Sequence, residues 1–377
     1  MIAKIKSSLI SSVTNARGWR TNRKIVVIES DDWGSIRMPS KQVYNELLKR
    51  GIRVDNDPYN KYDGLATKKD LEALFEVLSS IKDKNGRSAV LTANTITANP
   101  DFEKIKASGF SEYHYVPFTE ILNESSLHVG AFEMWKQGIN ERIFIPQFHG
   151  REHLNVKEWM AALKLDHKIV RLGFDYGLFG FNKRVDPSIN TNFMGAFNSG
   201  VSEDIEDYKN ILREGVDLFK QIFGYTSKSF IAPTYTWHPD LELALKNLGV
   251  EYLQGMIHQR IPLDNGATFK YKKDNYLGNK SKASGLNYLM RNCYFEPSQK
   301  ADFDWIGDCL CRVQTAFLWS KPATISMHRL NVIGAIDERN RERNLSLLKQ
   351  LLNEIVKRYP DVEFMSSNEL GELIFEK

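Results

Sequence analysis

Short apolar runs alternate with helical patterns along this sequence, and this alternation restricts its fold more than any other feature. The apolar runs lie at 24–30, 88–94, 143–149, 229–235, 250–255, 287–292, 323–328 and 362–367. Apolar residues recur at helical spacing at 41–50, 69–82, 156–165, 205–223, 240–247, 304–319 and 338–358. Strands that alternate with helices form βαβ units and a parallel sheet. A chain of 377 residues is within the size range of one α/β barrel with insertions.

Several of the predicted strands end in polar or reactive side chains. These are Asp31, Asp32, Asn94, His149, Tyr235, Arg291 and His328. In a barrel of parallel strands the carboxyl ends face one rim, where active sites are found. The sequence therefore predicts that these scattered residues share one pocket.

The strings IVVIESDDWGS and FHGREH contain the residue types of a metal-dependent hydrolase. Asp32, His149 and His153 could bind a divalent ion, and Asp31 could accept a proton from water. The two histidines are four residues apart, so they share one face if the chain turns helical directly after the strand. The competing interpretations are turn or capping carboxylates before a glycine and a chance HxxxH pair. His328, at the end of another strand, could protonate a leaving group.

Composition and charge argue against several classes of partner. Lys and Arg number 51 and Asp and Glu 47, without a basic block, so no nucleic-acid partner is predicted. The basic stretch 270–282 is interpreted as a solvated loop, with contact to an anionic substrate group as the alternative. The start, MIAKIKSSLISSV, lacks a sustained apolar segment, and no stretch approaches the length of a membrane span. Since the cysteines (Cys293, Cys309, Cys311) should stay reduced, we expect a cytoplasmic protein.

Long connections are expected around the barrel. Residues 51–68 are polar and rich in turn formers, residues 171–200 carry six Phe and Tyr side chains, and 256–286 is a third insertion. The aromatic residues of the second insertion could form a lid, a wall on which sugars stack, or a small core of their own. Without an internal repeat or a linker-like boundary, one domain over 1–377 is predicted.

The order of the motifs resembles the NodB-like polysaccharide deacetylases of carbohydrate esterase family 4. In that family a strand ends in an Asp-Asp pair, and an HxxxH pair and an aromatic, proline-rich strand end follow. An Asp-Trp at a helix start and a strand ending in His complete the series. This sequence has SDDWG at 30–34, HGREH at 149–153, FIAPTY at 230–235, DFDW at 302–305 and ISMH at 325–328. The resemblance covers residues 24–370 in outline, and the order of five motifs is more specific than any one of them.

The resemblance implies a distorted (β/α)7 barrel that removes acetyl groups from an N- or O-acetylated carbohydrate. It implies one divalent metal ion, commonly zinc, held by Asp32, His149 and His153. Asp31 would then be the general base and His328 the general acid. The same match implies an oxyanion contact from the backbone N–H of Tyr235, and a pocket wall at the Asp304-Trp305 pair.

One position departs from the family pattern. The family's third motif carries an arginine that supports the base aspartate, and the matching residue here is Ile231. Arg291, Arg329 and Arg151 are the candidates to supply that charge.

Two other functions stay open on the sequence. If the missing arginine disables the base, the barrel binds sugar without reacting with it. A glycosidase with paired carboxylates on a related barrel would need no metal. The substrate is expected to be an acetylated saccharide or a sugar nucleotide, and the sequence does not indicate an oligomeric state.

Overall fold

A computed structural model describes residues 11–375 of the protein. The first ten residues lie outside this range. The prediction that the chain starts without a signal segment rests partly on them. The strands are β1 Lys24–Trp33, β2 Leu91–Ile96, β3 Ala98–Pro100, β4 Tyr115–Pro117, β5 Phe144–Gly150, β6 Ser229–Phe230, β7 Tyr252–Gly255, β8 Gln259–Pro262, β9 Phe269–Lys272, β10 Asn287–Met290, β11 Cys293–Tyr294, β12 Ala323–His328 and β13 Val362–Met365.

Helices connect most of the strands. They are α1 Lys41–Lys49, α2 Pro58–Tyr62, α3 Lys68–Ser80, α4 Phe102–Ala107, α5 Phe118–Glu124, α6 Ala131–Asn140, α7 Val156–Lys164, α8 Lys168–Asp175, α9 Ser202–Phe223, α10 Asp240–Asn247, α11 Trp305–Leu318, α12 Glu338–Arg358 and α13 Ser367–Phe375. Short 3₁₀ helices span Val54–Asn56, Ser126–His128, Pro233–Tyr235 and Arg329–Asn331.

The main sheet is parallel and closes into a distorted barrel. Its strand order is β10-β7-β6-β5-β2-β1-β12-β11, and β10 and β11 are successive parts of one extended stretch. Arg291 N donates to Gly255 O on the β7 side of that stretch, and Asn292 N donates to Thr324 O on the β12 side. One stretch of chain therefore joins both ends of the sheet, which gives seven strand positions. β13 pairs with the first half of β1. The predicted α/β barrel is confirmed.

The core follows from the apolar patterns of the sequence. β1 is buried from Ile25 to Trp33, as expected for a parallel strand covered on both faces. On α12 a stripe of five apolar residues is buried, namely Leu345, Leu348, Leu351, Leu352 and Ile355. Burial of each such side chain contributes about 1.5–3 kcal/mol. The stripe fixes α12 against the barrel, as its spacing predicts.

The predicted elements agree with the structure to within a few residues, but several observed elements have no prediction, among them α2, α8, the antiparallel pair β8–β9 and α13. Residues 95–142 carry no predicted element, yet they form the antiparallel pair β3–β4 and the helices α4, α5 and α6. Most of these elements have only three to seven residues, too few for a hydrophobic period to emerge.

The three insertions contact one another in series. Asn60 Nδ2 of the first insertion donates to Gly180 O of the second at 3.4 Å. Gly200 N, at the end of the second, donates to Asp264 O of the third at 2.6 Å. Five of the six aromatic residues of 171–200 are buried, and most of them pack with Trp159 in an apolar cluster. The second insertion therefore packs into an apolar core that it shares with neighbouring segments, among them Met38, Leu47 and Val54.

No helix within residues 11–375 has both the length and the apolar composition needed to cross a membrane.

Candidate metal centre

The carboxyl end of β1 places two adjacent aspartates in the same pocket. Asp31 is level with His328 on the neighbouring strand β12. Adjacent residues of a regular strand point to opposite faces, but the pairing of β1 with β2 shifts register between Ser30 and Trp33. Asp32, inside this bulge, has φ +73°. Bulges redirect side chains in this way, and this one allows both carboxylates to face the pocket.

A second irregularity orients His149. The pairing of β5 with β2 shifts register between Thr95 and Ile96, opposite the end of β5 that carries this histidine. His149 Nδ1 lies 2.8 Å from Ile231 O, so it carries the proton and Nε2 is left as the basic nitrogen. The backbone of Ile231 thus orients His149 although its side chain differs from the family arginine.

His153 reaches the same place from a loop. The condition of a helix directly after β5 is not met, because residues 151–155 are not helical and α7 begins only at Val156. Burial lowers the pKa of His153 to about 3, against the opposing effect of the Asp32 carboxylate. The imidazole is therefore neutral, which is the form that binds metal ions.

Asp32, His149 and His153 form a cluster with metal-binding geometry. One possible ligand atom from each residue lies within 4.8 Å of the others, and all three residues are buried. Asp32 Oδ1 is 3.5 Å from His149 Nε2 and 3.4 Å from His153 Nε2. Among the described residues, Asp32 Oδ1 and His149 Nε2 have no hydrogen-bond partner. Buried polar atoms without partners are costly, so the cluster fits a divalent ion such as zinc.

Arg37 holds the other oxygen of the aspartate. Its Nη2 donates to Asp32 Oδ2 at 2.9 Å, and both side chains are buried. Burial by itself raises the pKa of Asp32, but the Arg37 guanidinium outweighs burial and lowers the pKa well below its usual range. Asp32 is therefore a carboxylate with Oδ1 available as a ligand.

Asp31 is held by a different arginine. Arg291 Nη1 donates to its Oδ2 at 2.6 Å, Arg291 Nη2 to its Oδ1 at 2.7 Å, and Asn94 Nδ2 also to Oδ1 at 2.7 Å. Burial raises the pKa of Asp31, but Arg291 outweighs burial and lowers it below its usual range. Of the three candidate arginines, Arg291 therefore supplies the charge beside Asp31.

The other two candidate arginines pair elsewhere. Arg151 pairs with Glu152 and Glu214, and Arg329 Nε donates to Asp63 Oδ1 at 3.0 Å.

His328 faces the same pocket and pairs with a glutamate. Its Nδ1 lies 2.5 Å from Glu296 Oε1, and 22% of its side chain is exposed. Burial opposes the charge on His328, but the Glu296 carboxylate outweighs it and raises the pKa of the imidazole to about 9. At neutral pH the ring is therefore protonated, with Nε2–H turned away from Glu296.

The remaining predicted pocket residues have local partners. Tyr235 N donates to Ala232 O at 3.0 Å, so its N–H is already engaged, while its hydroxyl accepts from Arg291 Nη1 at 2.9 Å. Asp304 is exposed and caps α11 by accepting from Gly307 N at 2.8 Å. Trp305 Nε1 donates to Lys300 O at 2.8 Å. The oxyanion and pocket-wall roles of these residues stay predictions.

Sequence reasoning missed Arg37, Glu296 and Glu29, which pair with Asp32, His328 and Arg291 respectively. Of these three residues, only Glu29 could have been identified from the sequence, because a charged residue inside the apolar run 24–30 needs a buried partner of opposite charge.

No family model and no curated protein matches this sequence. Among solved structures, 4-α-glucanotransferase from Thermococcus litoralis is 10% identical over 93% of this chain and 40% of its own, with a TM-score of 0.46. The α-amylase AmyC from Thermotoga maritima is 9% identical over 93% and 74%, with a TM-score of 0.44. Peptidoglycan deacetylase PdaC from Bacillus subtilis is 8% identical over 93% and 92%, with a TM-score of 0.36. This chain spans less than half of the glucanotransferase.

Proposed function

We propose that the protein is a metal-dependent hydrolase that removes an acetyl group from an N- or O-acetylated carbohydrate. The observation that carries the proposal is the convergence of Asp32, His149 and His153, with two buried ligand atoms that have no hydrogen-bond partner within residues 11–375. A divalent ion bound there supplies Lewis acidity to an acyl carbonyl and to water. The acetylated carbohydrate comes from the motif order that resembles the NodB-like deacetylases.

Asp31 suits the role of general base by its position. It neighbours the ligand Asp32, and Arg291 and Asn94 fix its carboxylate plane. Its Oδ2 accepts a single hydrogen bond from the described residues, which leaves a lone pair free to accept a proton from water. Because Arg291 weakens Asp31 as a base in the resting site, proton transfer depends on positioning more than on basicity.

His328 suits the role of general acid on the neighbouring strand. Glu296 accepts from Nδ1 and keeps the imidazole protonated. The proton on Nε2 is then available to a leaving amine or alkoxide.

The pairing of Arg291 with Asp31 also bears on the sugar-binding alternative. That alternative depended on the absence of an arginine beside Asp31. Because Arg291 pairs with Asp31, this reason for an inactive base no longer applies. The glycosidase alternative can be distinguished from the proposed function by metal removal, because a glycosidase with paired carboxylates requires no metal.

The first test compares metal content and acetate release on acetylated chitooligosaccharides. The wild type should bind one divalent ion, and His149→Ala should lose both the ion and turnover. Asp31→Asn should keep the ion and lose turnover by about 100-fold or more. The control is Asp175→Asn, on α8, where an exposed carboxylate pairs with Lys106; it should change neither. Near-normal turnover in Asp31→Asn, or full turnover after complete metal removal, would contradict the proposal.

A further inference from the structure

The metal-ligand cluster lies below the surface, and its exposed edge is at His328. The side chains of Asp32, His149 and His153 are 2%, 3% and 7% exposed, compared with 22% for His328. A substrate therefore approaches the cluster past His328. The residues that cover this edge determine which substrates can enter.

Tyr59, from the insertion at 51–68, covers that edge. Its ring packs edge to face on the imidazole of His328, with the ring centroids 5.4 Å apart. The guanidinium of Arg37, which holds Asp32, lies 5.3 Å from the centre of the same ring. Tyr59 thus bridges the metal-ligand side and the acid side of the pocket.

The segment that carries Tyr59 is anchored on both sides. Asp57 caps α2 by accepting from Asn60 N. Asn60 Nδ2 and Asn56 Nδ2 donate to Gly180 O and Arg184 O of the second insertion. The second insertion is in turn bonded to the third through Gly200. These contacts join the three insertions into one continuous wall, from which Tyr59 packs on His328.

We infer that Tyr59 closes one end of the substrate pocket and restricts the enzyme to small acetylated saccharides or to the end unit of a chain. The substrate part of this inference rests on the proposed function. An internal unit of a polymer needs a groove open at both ends, because the chain must leave on each side of the reacting sugar. The wall formed by the insertions blocks one of those exits.

The substrate test uses N-acetylated chitooligosaccharides of one to six units and a matched pair of variants. In Tyr59→Ala the pocket end is opened. In Tyr62→Ala, on the same helix, the lost ring lies in a surface groove with Lys41, Tyr44 and Asp337. The wild type should prefer the shortest substrates by about tenfold or more in kcat/KM, the range in which pocket shape discriminates. Tyr59→Ala should reduce that preference several-fold, and Tyr62→Ala should retain it. A wild type that prefers the hexamer, or a preference equal in the two variants, overturns the inference.

A second readout does not need turnover. The rate at which excess chelator extracts the ion should rise several-fold in Tyr59→Ala and stay unchanged in Tyr62→Ala and Tyr59→Phe, which keeps the ring. Equal extraction rates in Tyr59→Ala and wild type overturn the closing role. If no saccharide reacts but extraction accelerates in Tyr59→Ala alone, the closing role stands and the proposed function fails. Circular dichroism verifies folding, and Tyr59→Leu is the replacement variant if Tyr59→Ala unfolds.

Discussion

Replacement of Arg291 by leucine should lower the free energy of unfolding by about 3–5 kcal/mol. The guanidinium is fully buried, and it donates to both oxygens of Asp31, to Glu29 and, at 3.1 Å, to Ser326 Oγ. Leucine fills part of the volume but donates no hydrogen bond. The variant therefore leaves two carboxylates buried without their cation, the situation in which loss of one partner costs most.

Whether Arg291→Leu lowers the free energy of unfolding by about 3 or by about 5 kcal/mol depends on Glu29. Burial raises the pKa of Glu29 even with Arg291 present, so in the variant Glu29 takes up a proton rather than stay charged. Asp31 then carries most of the cost, which favours the lower end, about 3 kcal/mol. The double variant Arg291→Leu with Asp31→Asn should recover at least half of the loss, because it removes the remaining buried charge.

The assay is urea unfolding followed by tryptophan fluorescence, with chelator in every sample so that bound metal does not contribute. Arg358→Leu is the control, since Arg358 is half exposed and pairs with Glu354 one helical turn away; such pairs contribute about 0.3–0.5 kcal/mol. If Arg291→Leu costs no more than Arg358→Leu, or if Asp31→Asn recovers nothing, the assignment of Arg291 as the partner of a buried anion is refuted.

Gly34→Ala should lower the free energy of unfolding by at least about 1–2 kcal/mol, because Gly34 has φ +79° and a Cβ would lie 2.2 Å from Ile96 O; an unchanged urea midpoint would contradict this. Burial lowers the pKa of His128 in the folded protein. As the pH falls below the ordinary pKa of histidine, the unfolded chain takes up a proton at this residue before the folded protein does, and the folded protein loses stability. The urea midpoint of the wild type should therefore fall more between pH 7 and pH 5 than that of His128→Gln, and parallel profiles would exclude this role. Glu242→Ala should cost about 1–3 kcal/mol, because Trp237 Nε1 and two serine hydroxyls lose their buried acceptor; limited proteolysis should then cut near residues 281–286, and resistance equal to wild type would count against it.

The fold could be predicted because its signals are local. The helices 240–247 and 338–358 have in the structure the bounds that their apolar periods give, and each apolar run overlaps a strand. The closure of the barrel has no such signal. The stretch 287–294 pairs with β7 through its first half and with β12 through its second, and no residue pattern distinguishes such a strand from one with two ordinary neighbours.

The site was predictable in its residues but not in its partners. A charged or basic residue at the end of an apolar run is visible in the sequence, and this identified Asp31, Asp32, His149 and His328 as candidates. Which arginine meets which carboxylate depends on side-chain directions across strands that are far apart in the chain. Arg291 lies 260 residues from Asp31, and only the assembled rim brings them together.

The pairing of acids with basic side chains explains how several buried charges coexist at one rim. Asp31 pairs with Arg291, Asp32 with Arg37 and Glu296 with His328. Buried pairs of this kind add little net stability, since desolvation offsets most of the attraction between the charges. Their effect is to fix orientation: Arg37 occupies Oδ2 of Asp32 and leaves Oδ1 toward the two imidazoles, while Glu296 directs the free nitrogen of His328. The rim therefore holds a possible ligand, base and acid in fixed positions before any substrate arrives, the condition under which electrostatic catalysis is most effective.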